Sequence, residues 1–131
     1  MNINEQDELV QVITDFIEMG HVENIIAMFK QDLSCYSLTG RLIQDERFMV
    51  RIGVAVLFEE LAGIRPNEVK LAIPSLTPLL SSPTPSIRGE AANLLGIIGC
   101  KEAMAALSIL RNDPDPQVKE IVSDILSETA R

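Results

Sequence analysis

Residues 72–99 read AIPSLTPLLSSPTPSIRGEAANLLGIIG and residues 103–130 read AMAALSILRNDPDPQVKEIVSDILSETA, and the two stretches match at an offset of 31 positions. The matched pairs are Leu76 and Leu107, Pro83 and Pro114, Pro85 and Pro116, Ile87 and Val118, Arg88 and Lys119, and Leu95 and Leu126, whereas Leu80 falls on Arg111. Because apolar, proline and basic residues align together at these six pairs, the two stretches are interpreted as copies of one structural unit.

Each copy predicts two antiparallel helices joined by a turn that carries prolines. Pro85 and Pro116 suit the first turn of a helix, where the missing N–H costs nothing, and Thr84 and Asp115 precede them as N-cap candidates. After each of these prolines, apolar residues recur at helical spacing and predict a core stripe, made of Ile87, Ala91, Leu94, Leu95 and Ile98 in the first copy and of Val118, Ile121, Val122 and Ile125 in the second. One hairpin cannot bury such a stripe alone, so the units are expected to stack.

An earlier copy is visible in residues 45–63, DERFMVRIGVAVLFEELAG, where Val50 and Arg51 stand in register with Ile87 and Arg88. Its first helix is predicted from about Ser34 to Ile43, with Gly40 as a weak point in its interior. Residues 5–19 and 22–33 predict two further amphipathic helices, broken at Gly20. The sequence therefore predicts a single domain over residues 1–131, with a diverged hairpin in 1–33 and units at 34–63, 66–99 and 103–130.

The prolines and glycines of these units lead to two local predictions. Pro74 and Pro78 each remove a backbone donor, so the helix expected from Pro66 or Asn67 to Leu80 should be kinked near Pro74. Gly99 and Gly63 are expected to end their helices in the left-handed conformation.

Composition limits the classes of partner. The 131 residues carry a formal charge of −8, which repels nucleic-acid phosphates and anionic lipid, so neither nucleic acid nor a membrane is an expected partner. No apolar run reaches about 18 residues, and no signal-peptide pattern opens the chain. A cytoplasmic protein with an aliphatic core is predicted, because aromatic residues are only 4% of the chain.

Residues that commonly carry catalysis or bind metals are sparse. His21 is the sole histidine, and its place beside Gly20 suits a cap or an exposed polar residue. Cys35 and Cys100 lack metal-clip spacing and are interpreted as small buried hydrophobic residues. We therefore expect no catalytic residues, no metal and no cofactor.

The pattern LxxLLxxxxPxIRxxAAxLLGxxG in residues 76–99 resembles HEAT repeats of the short variety seen in phycobilisome lyases. This resemblance implies an all-α fold, an α–α superhelix or solenoid of helical hairpins. It also implies a ladder between a basic residue of each second helix (Arg51, Arg88, Lys119) and an acid in a turn. Asp45 and Asp113 suit the acidic position, whereas the middle unit has Ser82 and Thr84 there.

In this family the second helices usually line a concave contact face. The residues that the resemblance places on such a face are Arg51, Val54, Phe58, Glu59, Arg88, Asn93, Ile97, Lys119 and Ser123. Phe58 and Ile97 are equally compatible with the core.

The expected function is a non-enzymatic adaptor or scaffold that binds a segment of another protein on this face. An acidic chain favours a basic partner, and an end unit is also available for homodimerisation. The alternatives are an accessory or regulatory subunit of a larger complex or, ranked lower, an enzyme related to bilin lyases or to HEAT-like DNA glycosylases.

Overall fold

All regular structure is helical in the computed structural model, which describes residues 2–129 apart from the side chains of Ile3 and Thr129. The α-helices are α1 Ile3–Glu18, α2 Val22–Gln31, α3 Thr39–Leu42, α4 Phe48–Ile64, α5 Ile73–Leu76, α6 Pro85–Ile98, α7 Lys101–Leu107 and α8 Pro116–Thr129. Short 3-10 helices at Leu33–Leu38, Glu68–Ala72, Thr77–Ser81 and Ser108–Leu110 complete the regular structure of this range. The all-α class expected from the sequence is therefore confirmed.

The two N-terminal helices begin and end close to where apolar spacing predicts. Asn2 caps α1 by accepting a hydrogen bond from the Glu5 backbone N–H at 2.9 Å. Gly20 separates α1 from α2 with a φ of 86°, a conformation that favours glycine.

The first helix of each later unit is less regular than predicted. Residues 33–42 form a 3-10 turn followed by α3, and residues 68–81 form α5 between two 3-10 segments. Pro74 lies at the start of α5 and Pro78 at the start of the 3-10 segment that follows it. Since each proline lacks the N–H of one i→i−4 bond, the predicted single kinked helix is instead broken twice.

The turns before α4, α6 and α8 share one hydrogen-bonding pattern. Asp45, Ser82 and Asp113 each accept a bond from the backbone N–H two residues later, at 2.9, 3.2 and 2.9 Å. Arg51 and Arg88 each donate to the carbonyl oxygen six residues earlier, at 2.8 and 2.9 Å. The residues that form these bonds occupy equivalent positions in the sequence repeat.

The ends of the second helices follow the sequence predictions only in part. Asp115 accepts bonds from the N–H groups of Gln117 and Val118 at the start of α8, whereas Thr84 precedes α6 without such a bond. Gly99 ends α6 with a φ of 70°. The same prediction for Gly63 is wrong, because α4 continues to Ile64 and Gly63 keeps a negative φ.

The second helices α4, α6 and α8 pack in sequence, with α1 and α2 against α4. Close approach depends on small residues: a Cβ on Gly53 would overlap Ile17 of α1, and a Cβ on Gly96 would lie 2.8 Å from Cδ1 of Ile125 in α8. Residues 33–42 pack against residues 68–76. One cluster of buried apolar side chains extends from Ile13 to Val122.

Candidate protein-binding surface

Two of the residues assigned to a contact face from the sequence lie in the core. Val54 and Phe58 have no exposed surface, so neither can contact a partner in this conformation. The Phe58 ring packs edge-on against Phe29 and Tyr36, with centroids 6.3 and 6.2 Å away. The assignment of these two residues to the surface is therefore wrong, because both lie on the buried face of α4.

The two arginines of the predicted set have structural partners. Arg88 donates to both carboxylate oxygens of Asp113 at 2.9 Å, and its side chain is only 12% exposed. Arg51 donates to the carbonyl oxygens of Asp45 and Glu46, and its Nε lies 4.0 Å from Glu90 Oε1. Both guanidinium groups therefore already form contacts within the chain that link helices to turns.

The remaining predicted residues reach the surface in separate places. Glu59, Lys119 and Ser123 are exposed, whereas Asn93 and Ile97 are half-buried and Ile97 packs against the core. Lys119 and Ser123 share a shallow depression beside Arg111, and Asn93 lines a groove of about 560 Å³ between α6 and α8. The structure therefore does not unite the predicted residues in one site.

A stripe of large apolar side chains is exposed along α4. Phe48, Met49, Ile52 and Val56 are 62, 58, 41 and 43% exposed, and we call these four residues the α4 stripe. Three of them recur every four residues, so they lie on one side of the helix, opposite the buried Val50 and Leu57. Contiguous exposed apolar surface of this kind is typical of protein contact sites.

The repeat itself indicates that the fold does not require the α4 stripe. In the register that aligns Arg51 with Arg88, the positions of Phe48, Ile52 and Val56 are occupied in α6 by Pro85, Gly89 and Asn93, and in α8 by Pro116, Glu120 and Asp124. Neither of the other second helices has a large apolar side chain at these positions. The repeated structure therefore does not by itself require large apolar residues at the positions of the α4 stripe.

Sequence reasoning missed the α4 stripe although two signals pointed to it. The i, i+4, i+8 spacing of Phe48, Ile52 and Val56 is readable in the sequence. The repeat register also aligns Val54 and Phe58 with Ala91 and Leu95, which the sequence already assigned to the core stripe. Consistent use of that register would have moved the candidate surface to the other side of α4.

The lone histidine and the two cysteines differ in their surroundings. His21 is exposed and packs edge-on against Phe16, with centroids 6.0 Å apart. Burial raises the pKa of the Cys35 thiol to about 11, so this thiol is protonated at neutral pH. Cys100, expected to be buried, is half-buried before α7. Within residues 2–129, no three His, Cys, Asp or Glu side chains cluster as metal ligands would.

Comparison of the chain with protein-family models, with curated proteins and with solved structures finds no match. Among the described helices, none combines the length and apolar character that crossing a membrane requires. The function is therefore inferred from the chain's own surface.

Proposed function

We propose that this chain is a short α-solenoid of HEAT-like hairpins that binds another protein on the outer side of its second helices. The shared turn pattern at Asp45, Ser82 and Asp113 supports the repeat, as does the packing of α4, α6 and α8 in sequence. In this arrangement each unit adds one helix to an extended surface, which suits binding without chemistry.

The observation that carries the proposal is the α4 stripe. Its four side chains are between 41 and 62% exposed, although covering large apolar side chains is favourable by about 25 cal/mol per Å². A partner that covers them gains this free energy, and the exposed acids Glu59 and Glu60 provide a polar rim beside the apolar centre.

Affinity capture tests the proposal directly. The native protein, Ile52→Ser/Val56→Ser and Ile109→Ser are immobilised separately and incubated with a lysate of the cells that express the chain. Ile109 is 69% exposed and lies in the 3-10 segment after α7, so it is a matched change of one exposed apolar side chain elsewhere. A specific protein retained by the native chain and by Ile109→Ser, but lost with the double variant, is expected. Equal capture by all three would refute the proposal.

A further inference from the structure

The α4 stripe continues into a cleft between α2 and α4. The cleft has a volume of about 470 Å³, and Val56 belongs both to the stripe and to the cleft wall. Apolar side chains of Val22, Ile26 and Val56 line it together with the carboxylates of Glu23 and Glu60. An apolar stripe and a partly acidic cleft are thus joined on one surface.

We propose that this surface takes a basic amphipathic helix, whose apolar side covers the α4 stripe while a Lys or Arg side chain enters the cleft. The inference rests on the proposed function and names the partner's chemistry. A long basic side chain fits the cleft because its methylene stem is apolar and its head is cationic. The stem would pack against Val22, Ile26 and Val56, with the charged head near Glu23 and Glu60.

The charge around the stripe favours a cationic partner. Glu23, Glu59 and Glu60 are exposed and form no ion pair within the described part of the chain. Two cations lie beside the stripe, and both already have partners. Arg47 is within 2.9–3.1 Å of Asp45, Asp15 and Glu18. Arg51, whose guanidinium lies 5.8 Å from the centroid of the Phe48 ring, donates to two carbonyl oxygens and lies 4.0 Å from Glu90. The charge that remains without a partner beside the stripe is therefore negative.

The length of the surface fits a short helix. From Phe48 to Glu60 the helix advances 12 residues, which corresponds to about 18 Å or about three turns. Side chains spaced i, i+4 and i+8 form a row inclined by about 26° to the axis of α4, so a second helix that crosses α4 at a shallow angle can contact all of them.

A second copy of this chain is a poorer occupant than a basic helix. Both copies would carry a formal charge of −8, and a pair in which the two α4 helices run parallel would also bring Glu59 and Glu60 of one copy near the same carboxylates of the other. Such like-charge contacts oppose association, whereas a basic helix neutralises them.

Two synthetic peptides provide the test. Both are amphipathic helices with leucines at the same positions, and every polar position is lysine in one peptide and glutamate in the other. We expect the full chain to bind the lysine peptide, measured by fluorescence anisotropy, and binding to weaken about tenfold in Ile52→Ser/Val56→Ser. Glu23→Gln/Glu60→Gln is expected to weaken binding several-fold and to reduce its salt dependence.

Matched controls and the opposing outcomes keep the result interpretable. Ile109→Ser and Glu8→Gln change an exposed apolar residue and an exposed acid elsewhere, so they should bind the lysine peptide like the native chain. All substituted side chains are partly or largely exposed, and unchanged melting temperatures verify folding. If both peptides bind equally well at the stripe, the inference that the partner helix is basic is wrong, but the proposed function is not contradicted. The inference is also wrong if neither peptide binds, or if the native chain forms a dimer that is absent in Ile52→Ser/Val56→Ser. In either case, capture from the lysate tests the proposed function separately.

Discussion

The guanidinium of Arg88 donates to both carboxylate oxygens of Asp113 at 2.9 Å, joining α6 to the turn before α8 across 25 positions of sequence. Both side chains are nearly buried, at 12 and 3% exposure. This ion pair joins the types of residue that the resemblance to HEAT repeats implies for a rung, a basic residue of a second helix and an acid in a turn. Arg51 has no equivalent ion pair, because Ser82 occupies the turn position that corresponds to Asp113. Its Nε instead lies 4.0 Å from Glu90 Oε1.

Asp113→Asn tests the contribution of this rung. Asparagine retains the size of the side chain but loses the charge that the paired guanidinium needs. We expect the free energy of unfolding to fall by about 2 kcal/mol, measured by chemical denaturation. Ser82→Ala, at the equivalent turn position without a rung, should cost less than about 1 kcal/mol. Equal losses in the two variants would show that the ion pair adds nothing to the turn.

The same pair predicts how stability depends on pH. Arg88 holds the pKa of Asp113 below its ordinary value, chiefly through their hydrogen bonds. The ionised carboxylate therefore stabilises the fold above the unfolded pKa of about 4, and this contribution is lost as pH falls through the lower folded pKa. The difference in melting temperature between the native chain and Asp113→Asn should shrink below about pH 4. A difference that stays constant down to the acid limit would contradict this assignment.

Leu95→Asp tests the core side of the second helices. Leu95 has no exposed surface, and an unpaired carboxylate there costs several kcal/mol against a total stability of about 5–15 kcal/mol. We expect loss of the cooperative thermal transition in circular dichroism. Ile109→Asp introduces the same charge at a 69% exposed site and should melt like the native chain. A Leu95→Asp protein with a native melting curve would refute the assignment of this face.

Replacing glycine by alanine should change the stability in opposite directions at Gly40 and Gly63. A Cβ on Gly40 would overlap the carbonyl oxygen of Ser75, where α3 meets α5, so Gly40→Ala should destabilise by about 1–3 kcal/mol. Gly63 lies within α4 with nothing within 4 Å of such a Cβ, and Gly63→Ala should stabilise by about 0.5–1 kcal/mol. Thermal denaturation of both variants measures the signs, and stabilisation by Gly40→Ala would show that α3 and α5 are not in close contact.

The sequence predicts the N-terminal and second helices well because their signals are local. Apolar spacing gives α1 and α2, and a proline in the first turn gives the starts of α6 and α8. The first helices depend instead on how the chain compensates for the donors missing at Pro74 and Pro78, which a spacing pattern does not specify. Spacing similarly predicts Gly40 only as a weak point in a helix, whereas in the structure the missing side chain lets α3 approach α5 closely.

The surface could be predicted only in part. Apolar residues surround α4 on nearly all sides, so periodicity alone does not reveal which side the other hairpins cover. That side is set by α1, α2 and α6 together, and the N-terminal hairpin lies outside the clear repeat. Periodicity therefore does not show that Phe58 is buried and that Ile52 is exposed.

Site-specific photo-crosslinking in living cells tests the central claim most directly. A photoreactive amino acid is placed at Ile52 in the α4 stripe and, as the matched control, at Ile109. The account predicts that one protein is crosslinked efficiently from position 52 and not from position 109. Crosslinks of equal yield and identity from both positions, or from position 109 alone, would contradict the claim that the outer side of α4 is the binding surface.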